Sequence, residues 1–122
     1  MRSLPRISLT AHGLVEFVAG LALTVAALVL DLGGAGTVLV FASGVSVAGI
    51  GLGAADALPL HAHQTLDHTL VIALAAGAVA LAAADGGAAA VILLATAGTV
   101  LVLEASTRWT RPMARKASPA TR

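Results

Sequence analysis

The sequence predicts an all-α integral membrane protein with four transmembrane helices, and three observations support this prediction. First, 58% of the 122 residues are hydrophobic and 11% are charged, which is outside the usual range of soluble globular domains. Second, residues 7–107 contain no Lys or Arg, and this stretch is several times longer than the roughly 20 residues that one membrane crossing needs. Third, turn-forming residues divide the stretch into apolar runs of the right length for one crossing each.

The predicted helices cover about residues 11–30, 36–55, 66–84 and 88–106. The first and third connections, at 31–36 and 85–87, are short glycine-rich turns with one aspartate each, whereas the second contains Pro59 and a histidine-rich stretch. Because backbone groups find no water in lipid, each run is expected to be a helix with internal hydrogen bonds. The chain is therefore predicted to be a single membrane domain, 1–122, that ends in a basic tail over residues 107–122.

The basic residues predict the orientation of the chain. All of them lie outside the apolar stretch, at Arg2 and Arg6 and at Arg108, Arg111, Arg115, Lys116 and Arg122. An even number of spans places both termini on one side, and the positive-inside rule makes that side the cytoplasm of a bacterial-type inner membrane. The alternative is a cleaved signal peptide that ends near residue 30, since Arg2 and Arg6 resemble a basic n-region.

Small residues predict how the helices pack. In lipid, helices associate through close backbone approach at small side chains. Ala42, Ser46, Gly49 and Gly53 recur at helical spacing in the second helix and are the predicted contact, and a bundle this small is expected to form homo-oligomers. In the first helix the polar and small residues share one face that is expected to point inward: His12, Glu16, Gly20, Thr24, Ala27 and Asp31.

Histidines and carboxylates gather at the predicted cytoplasmic end of the bundle. His12 with Glu16 and His63 with Asp67 are i, i+4 pairs, so each pair can direct two ligands the same way on a helix. Zn²⁺ and similar divalent ions accept such nitrogen and oxygen donors. The candidate metal ligands are His12, Glu16, His61, His63, Asp67 and His68. The alternatives are simple solvation of these groups at the helix ends, or a haem held by two histidines.

Two glutamates are candidates for proton coupling. Glu16 lies about one turn inside the first predicted helix, where a carboxylate usually faces a partner or a wet cavity. Glu104 ends the fourth predicted helix on the same side of the membrane. The alternative for Glu16 is a structural hydrogen bond to His12 or His68, because intramembrane charges generally pair with one another.

The two halves of the chain resemble each other. His12, Glu16 and the glycine pair at 33–34 are repeated, in the same order, by His63, Asp67 and the pair at 86–87. This internal repeat would make two tandem helical hairpins. With the glycine-containing run FVAGLAL at 17–23, the layout of residues 12–105 resembles small bacterial membrane proteins of the SPW-repeat type, although the Ser-Pro-Trp tripeptide of that family is missing. The resemblance implies the hairpin fold and no activity.

Four helices with one glutamate in the first are also similar to small multidrug resistance transporters. That similarity implies that Glu16 exchanges protons for a cationic substrate. The aromatic residues that form the drug pocket of that family have no counterpart here, because Phe17, Phe41 and Trp109 are the only aromatic side chains besides the histidines.

The sequence favours a non-enzymatic role. It contains no cysteine, no nucleophilic triad motif and no phosphate-binding loop, and a net charge of +1 argues against nucleic-acid binding. The predicted function is a structural or interaction role in the membrane, with the cytoplasmic His/carboxylate cluster as the functional surface. The alternatives are a small proton-coupled or metal-ion transporter that uses Glu16, and a metal- or haem-binding membrane module.

Overall fold

The computed structural model describes residues 6–54 and 57–110, and over this part of the chain the fold is four α-helices. They are α1 (Leu9–Val29), α2 (Gly33–Gly53), α3 (Leu60–Ala83) and α4 (Gly87–Ser106). Each has 20 to 24 residues and is apolar enough to cross a membrane. The predicted all-helical class is therefore confirmed, and so are four helices that are long and apolar enough to span a membrane.

Short turns join the helices into two hairpins, α1 with α2 and α3 with α4. The turns use left-handed backbone conformations at Gly33, with φ of 68°, and at Asp85, with φ of 60°. Ser8 caps α1, and its hydroxyl accepts a hydrogen bond from the Ala11 N–H at 3.1 Å. Pro59 directly precedes α3, where a helix needs no N–H donor.

The helix that differs most from prediction is α3, which begins at Leu60 and not near residue 66. Its first two turns contain His61, His63 and Asp67, and these polar residues lower the local hydropathy that marks a membrane span. Helical backbone continues through them nevertheless, because the helix only has to be apolar where it crosses hydrocarbon.

Glycines allow α1 and α2 to approach until their backbones touch. A methyl group on Gly20 would lie 2.6 Å from the Gly44 carbonyl oxygen, and one on Gly51 would lie 2.5 Å from that of Gly13. Neither distance is compatible with any side chain at these positions. The two glycines of each helix are two turns apart, so the contact extends along the length of the hairpin.

The predicted contact face of α2 is wrong within the chain. Ala42, Ser46 and Gly49 lie on the exposed face of α2, and nothing lies within 4 Å of a methyl group placed on Gly49. Gly53 is buried, but against Leu58 of the connection and not against α1. Both faces of α2 carry small residues at helical spacing, so spacing alone does not identify the one that packs. Contact between copies of the chain through the exposed face stays a prediction.

The inner and outer faces of the bundle are both apolar. Large side chains on the outside include Val29 and Val79, each 71% exposed, and Leu28 and Ile72, each 69% exposed. The core between the hairpins is built from Leu70, Leu74, Leu81, Leu93, Val40, Val47 and Val100 together with small alanines. An exterior this apolar is typical of a protein surrounded by lipid.

Candidate metal centre

Four polar side chains meet inside the bundle, near the end where α1 and α3 begin. They are His12 and Glu16 of α1 and His63 and Asp67 of α3, which we call the His/acid cluster. None is more than 1% exposed. Each helix contributes a histidine in its first turn and a carboxylate one turn later, so the i, i+4 spacing places all four side chains at one level. The inward face predicted for α1 is confirmed for both of its cluster residues.

Nitrogen and oxygen atoms alternate around the centre of the cluster. His12 Nε2 lies 3.2 Å from Asp67 Oδ2 and 3.4 Å from Glu16 Oε2. His63 Nε2 lies 3.4 Å from the same Glu16 oxygen and 3.5 Å from the same Asp67 oxygen. One possible ligand atom from each residue can be chosen so that all lie within 4.8 Å of one another. The four side chains therefore surround a common centre, rather than forming two separate pairs.

Most of the buried polar atoms of the cluster lack hydrogen bonds. This holds for both carboxylate oxygens of Glu16 and of Asp67, for His12 Nε2 and for both ring nitrogens of His63. Buried polar atoms in folded proteins nearly always have a partner, because an unpaired one keeps the full cost of its dehydration. Two buried carboxylates in particular require positive charge nearby. The cluster therefore calls for bound protons or a bound cation.

Thr107 determines how the His12 ring is protonated. The Thr107 hydroxyl donates its single hydrogen to the Leu103 carbonyl at 2.6 Å, and the same oxygen lies 2.7 Å from His12 Nδ1. Since the hydroxyl hydrogen is already used, Nδ1–H of His12 must donate to Thr107. In a neutral imidazole the lone pair is then on Nε2, which lies 3.4 Å from a Glu16 oxygen and 3.2 Å from an Asp67 oxygen. Metal-binding histidines are commonly oriented in this way, with the distal N–H held by a second residue.

Trp109 covers the two histidines. Its ring centroid lies 5.3 Å from that of His12 and 6.0 Å from that of His63. The indole N–H donates to the carbonyl oxygen of Glu104 at 3.2 Å, which fixes the ring in place. The ring of Trp109 therefore forms one wall of the cluster.

A short backbone pairing holds Thr107 and Trp109 over the cluster. Ile7 N–H donates to the Ser106 carbonyl, and Arg108 N–H donates to the Ile7 carbonyl, both at 2.9 Å. These bonds form a parallel bridge between Ile7 and Thr107, which we call the terminal bridge. It connects the segment before α1 with the segment after α4 and so closes one end of the bundle.

Two of the predicted metal ligands do not join the cluster. His61 is exposed on α3. His68 is 68% exposed, and its Nδ1 lies 2.9 Å from the Gln64 carbonyl and 2.7 Å from Glu104 Oε1. Glu104, predicted as a proton-coupling residue, is 9% exposed and is paired with His68 outside the cluster. On an α-helix each residue is rotated by about 100° from the one before, so His61 and His68 are turned away from the face shared by His63 and Asp67.

The sequence analysis missed Thr107 as a partner of His12, since 95 positions separate them along the chain. One signal could have found it. An even number of helices returns the end of α4 to the level at which α1 begins, so polar residues directly after α4 are expected near His12.

No protein-family model, curated protein or solved structure matches this chain. The cluster is therefore interpreted from its own geometry and chemistry.

Proposed function

We propose that this protein binds one divalent transition metal ion inside the membrane bundle, with His12, Glu16, His63 and Asp67 as the ligands. The observation that supports this most directly is the spacing of the ligand atoms. In a tetrahedral Zn²⁺ site with ligands about 2.0–2.1 Å from the metal, neighbouring ligand atoms lie about 3.3 Å apart. Four of the six distances between the ligand atoms, those from nitrogen to oxygen, are 3.2, 3.4, 3.4 and 3.5 Å, and all six are within 4.8 Å. The four residues therefore hold their donor atoms at metal-binding distances, in an arrangement flatter than a regular tetrahedron.

The charge of the cluster fits a divalent ion. Two ionised carboxylates contribute a charge of −2, and two neutral histidines contribute none, so one divalent cation makes the buried site neutral. The Nε2 lone pair of His12, directed inward by the hydrogen bond to Thr107, becomes a ligand rather than a source of repulsion. The same ion provides partners for the central nitrogen and oxygen atoms that otherwise have none.

The ligand set indicates the class of ion. Two imidazoles and two carboxylates without a thiolate suit Zn²⁺, Fe²⁺, Mn²⁺ or Co²⁺ rather than a soft ion such as Cu⁺. Ligand atoms this close together favour a bare ion over the haem alternative. Four protein ligands in a fully buried site are typical of closed, structural metal centres, whereas catalytic zinc sites keep one position open. The proposed role is therefore binding and structure, without catalysis.

The ion would join the two hairpins. Two of its ligands lie on α1 of the first hairpin and two lie on α3 of the second. Since each hairpin supplies one histidine and one carboxylate at matching positions, the site would be the functional reason for the internal repeat that we propose from the sequence. Without the ion, α1 and α3 would bring two carboxylates together in a region of low dielectric constant.

One observation favours a transporter as the second candidate. Glu16 also lines a groove of about 410 Å³ between α1 and α4, together with Ala19, Ala22, Thr96 and Thr99. The cluster would then be reachable from one side of the bundle, and Glu16 could exchange a proton for the ion. A proton-coupled transporter would move the ion across the membrane in vesicles, whereas a structural centre would retain it.

Titration of the metal-free protein with Co²⁺ in detergent tests the proposed function. We expect one Co²⁺ per chain, a visible absorption spectrum of protein-bound Co²⁺, and quenching of Trp109, which is the single tryptophan of the chain. The His63→Ala variant should lose all three signals. The His61→Ala variant is the matched control, because His61 is exposed and outside the cluster. Wild-type protein that shows no spectrum of bound Co²⁺, or unchanged binding by His63→Ala, would contradict the proposal.

We also propose that the protein is a multi-pass protein of a bacterial-type cell membrane with both termini in the cytoplasm. The chain contains no cysteine, so single cysteines introduced at Gly34 and at His61 can be labelled without background. In intact cells, an impermeant maleimide should label the cysteine at position 34 and leave the one at position 61 unmodified. Labelling of both positions from outside would show that the proposed topology is wrong.

A further inference from the structure

The outer face of the terminal bridge carries two arginines. Side chains alternate between the two faces of an extended segment. On one face, Thr107 is buried and Ile7 is half-buried against the bundle, whereas Arg6 and Arg108 are exposed. The backbone bond from Arg108 N–H to the Ile7 carbonyl holds the two segments side by side. Two cationic side chains from opposite ends of the chain are thereby brought to one place.

These arginines line a polar pocket of about 500 Å³ at the end of the bundle. The other residues of the pocket are Glu104, Ala105, Thr107, Trp109 and Thr110. Among the described ion pairs, none involves either arginine. The one carboxylate of the pocket, that of Glu104, is paired with His68 at 2.7 Å. The pocket therefore contains two guanidinium groups that have no described carboxylate partner, together with the side chain of Thr110.

We propose that this pocket binds the phosphate of an anionic lipid headgroup, with Arg6 and Arg108 as the principal contacts. Guanidinium groups bind phosphate oxygens through two parallel hydrogen bonds, which gives them a geometric preference for this anion. The pocket lies where the apolar helix α1 begins and α4 ends, at the level that lipid headgroups occupy in a bilayer. Trp109 lies in the pocket wall, and tryptophan is enriched at this depth of a membrane.

The proposed lipid site is separate from the metal centre. It uses the exposed face of the terminal bridge, whereas the cluster lies beneath the buried face, on the other side of Thr107. Free inorganic phosphate has the same chemistry as the headgroup. We assign the lipid, because the pocket opens at the end of four helices whose outer faces are apolar, so a bound lipid can also lay its acyl chains against them.

Native mass spectrometry of the protein released from mixed phosphatidylglycerol and phosphatidylcholine nanodiscs tests this site. Wild type should retain one phosphatidylglycerol per chain, and the Arg6→Gln, Arg108→Gln variant should bind it at least about tenfold more weakly. The control is Arg115→Gln, Arg122→Gln, which removes the same charge from the basic tail. An Arg6→Lys, Arg108→Lys variant keeps the charge and should bind with intermediate strength, because it loses the paired hydrogen bonds.

The possible outcomes separate the sources of binding. Equal loss in both glutamine variants would mean that only the net charge of the ends matters, and this would overturn the site. Inorganic phosphate that displaces the lipid at equal concentration would overturn the lipid as the ligand. If the Arg6→Gln, Arg108→Gln variant binds Co²⁺ as strongly as wild type, its helix bundle is folded. If the metal proposal itself fails, a circular dichroism spectrum typical of helix provides the same control.

Discussion

Zn²⁺ is expected to raise the melting temperature of the wild-type protein and to leave that of a Glu16→Gln, Asp67→Asn variant unchanged. A ligand that binds only the folded state at 100 times its dissociation constant adds about 2.7 kcal/mol to the free energy of unfolding. Each short nitrogen-to-oxygen contact of the cluster involves one of the two carboxylates, so replacing both with amides removes the negative charge from all four contacts while preserving side-chain size. The measurement is thermal unfolding in detergent, with and without Zn²⁺.

Without Zn²⁺, the Glu16→Gln, Asp67→Asn variant is expected to melt at the same temperature as wild type or at a higher one. Metal-free wild type holds two buried carboxylates whose oxygens have no hydrogen-bond partner in the structure. Replacing buried charged groups by neutral ones of similar volume is often neutral or stabilising. We therefore expect the metal-free variant to be at least as stable as metal-free wild type and clearly less stable than wild type with Zn²⁺.

Two controls distinguish the cluster from the surface. His61→Ala removes an exposed histidine and should leave the Zn²⁺ effect intact. Acidification should weaken the Zn²⁺ effect in wild type, because protons compete with the metal for the same nitrogen and oxygen atoms. A Zn²⁺-induced rise that is equal in wild type and in the Glu16→Gln, Asp67→Asn variant would show that the ion binds elsewhere.

The sequence was sufficient for the helices and for the central residues of the site. Hydropathy and turn residues identified four helices long enough to span a membrane, because an apolar run of about 20 residues in lipid can satisfy its backbone hydrogen bonds within itself as a helix. The i, i+4 spacing identified His12 with Glu16 and His63 with Asp67 as pairs that share a helix face. Local spacing on a helix is a geometric constraint, so these inferences required no knowledge of the tertiary fold.

The remaining features depend on which parts of the chain meet, and local spacing does not contain that information. The face of α2 that contacts α1 uses Gly44 and Gly51, whereas an equally regular series through Gly49 points outward. Thr107 and Trp109 reach the cluster only because the terminal bridge brings the segment after α4 back to Ile7. His61 was assigned to a connection because the polar residues before position 66 concealed that α3 begins at Leu60, so its position on the helix relative to His63 was not recognised.

Alanine at Gly51 and alanine at Gly49 are expected to change stability in opposite directions. A methyl group on Gly51 would lie 2.5 Å from the Gly13 carbonyl oxygen and 2.6 Å from the Phe17 nitrogen, and both are backbone atoms of α1. Backbone cannot move aside as a side-chain end can, so α1 and α2 must separate, and overpacking of this kind costs about 1–3 kcal/mol. At Gly49 nothing lies within 4 Å, and alanine gains about 1 kcal/mol of helix propensity.

The same pair of variants tests whether the hairpin contact positions the metal site. The methyl group on Gly51 would also lie 2.9 Å from Cβ of Glu16, a proposed ligand. Gly51→Ala should therefore weaken Co²⁺ binding as well as lower the melting temperature, whereas Gly49→Ala should leave binding unchanged. Equal melting temperatures for the two variants would show that α1 and α2 do not touch at Gly51. A destabilised Gly51→Ala protein with wild-type Co²⁺ affinity would instead show that the ligands are held by α1 and α3 alone, independently of how closely α2 packs behind them.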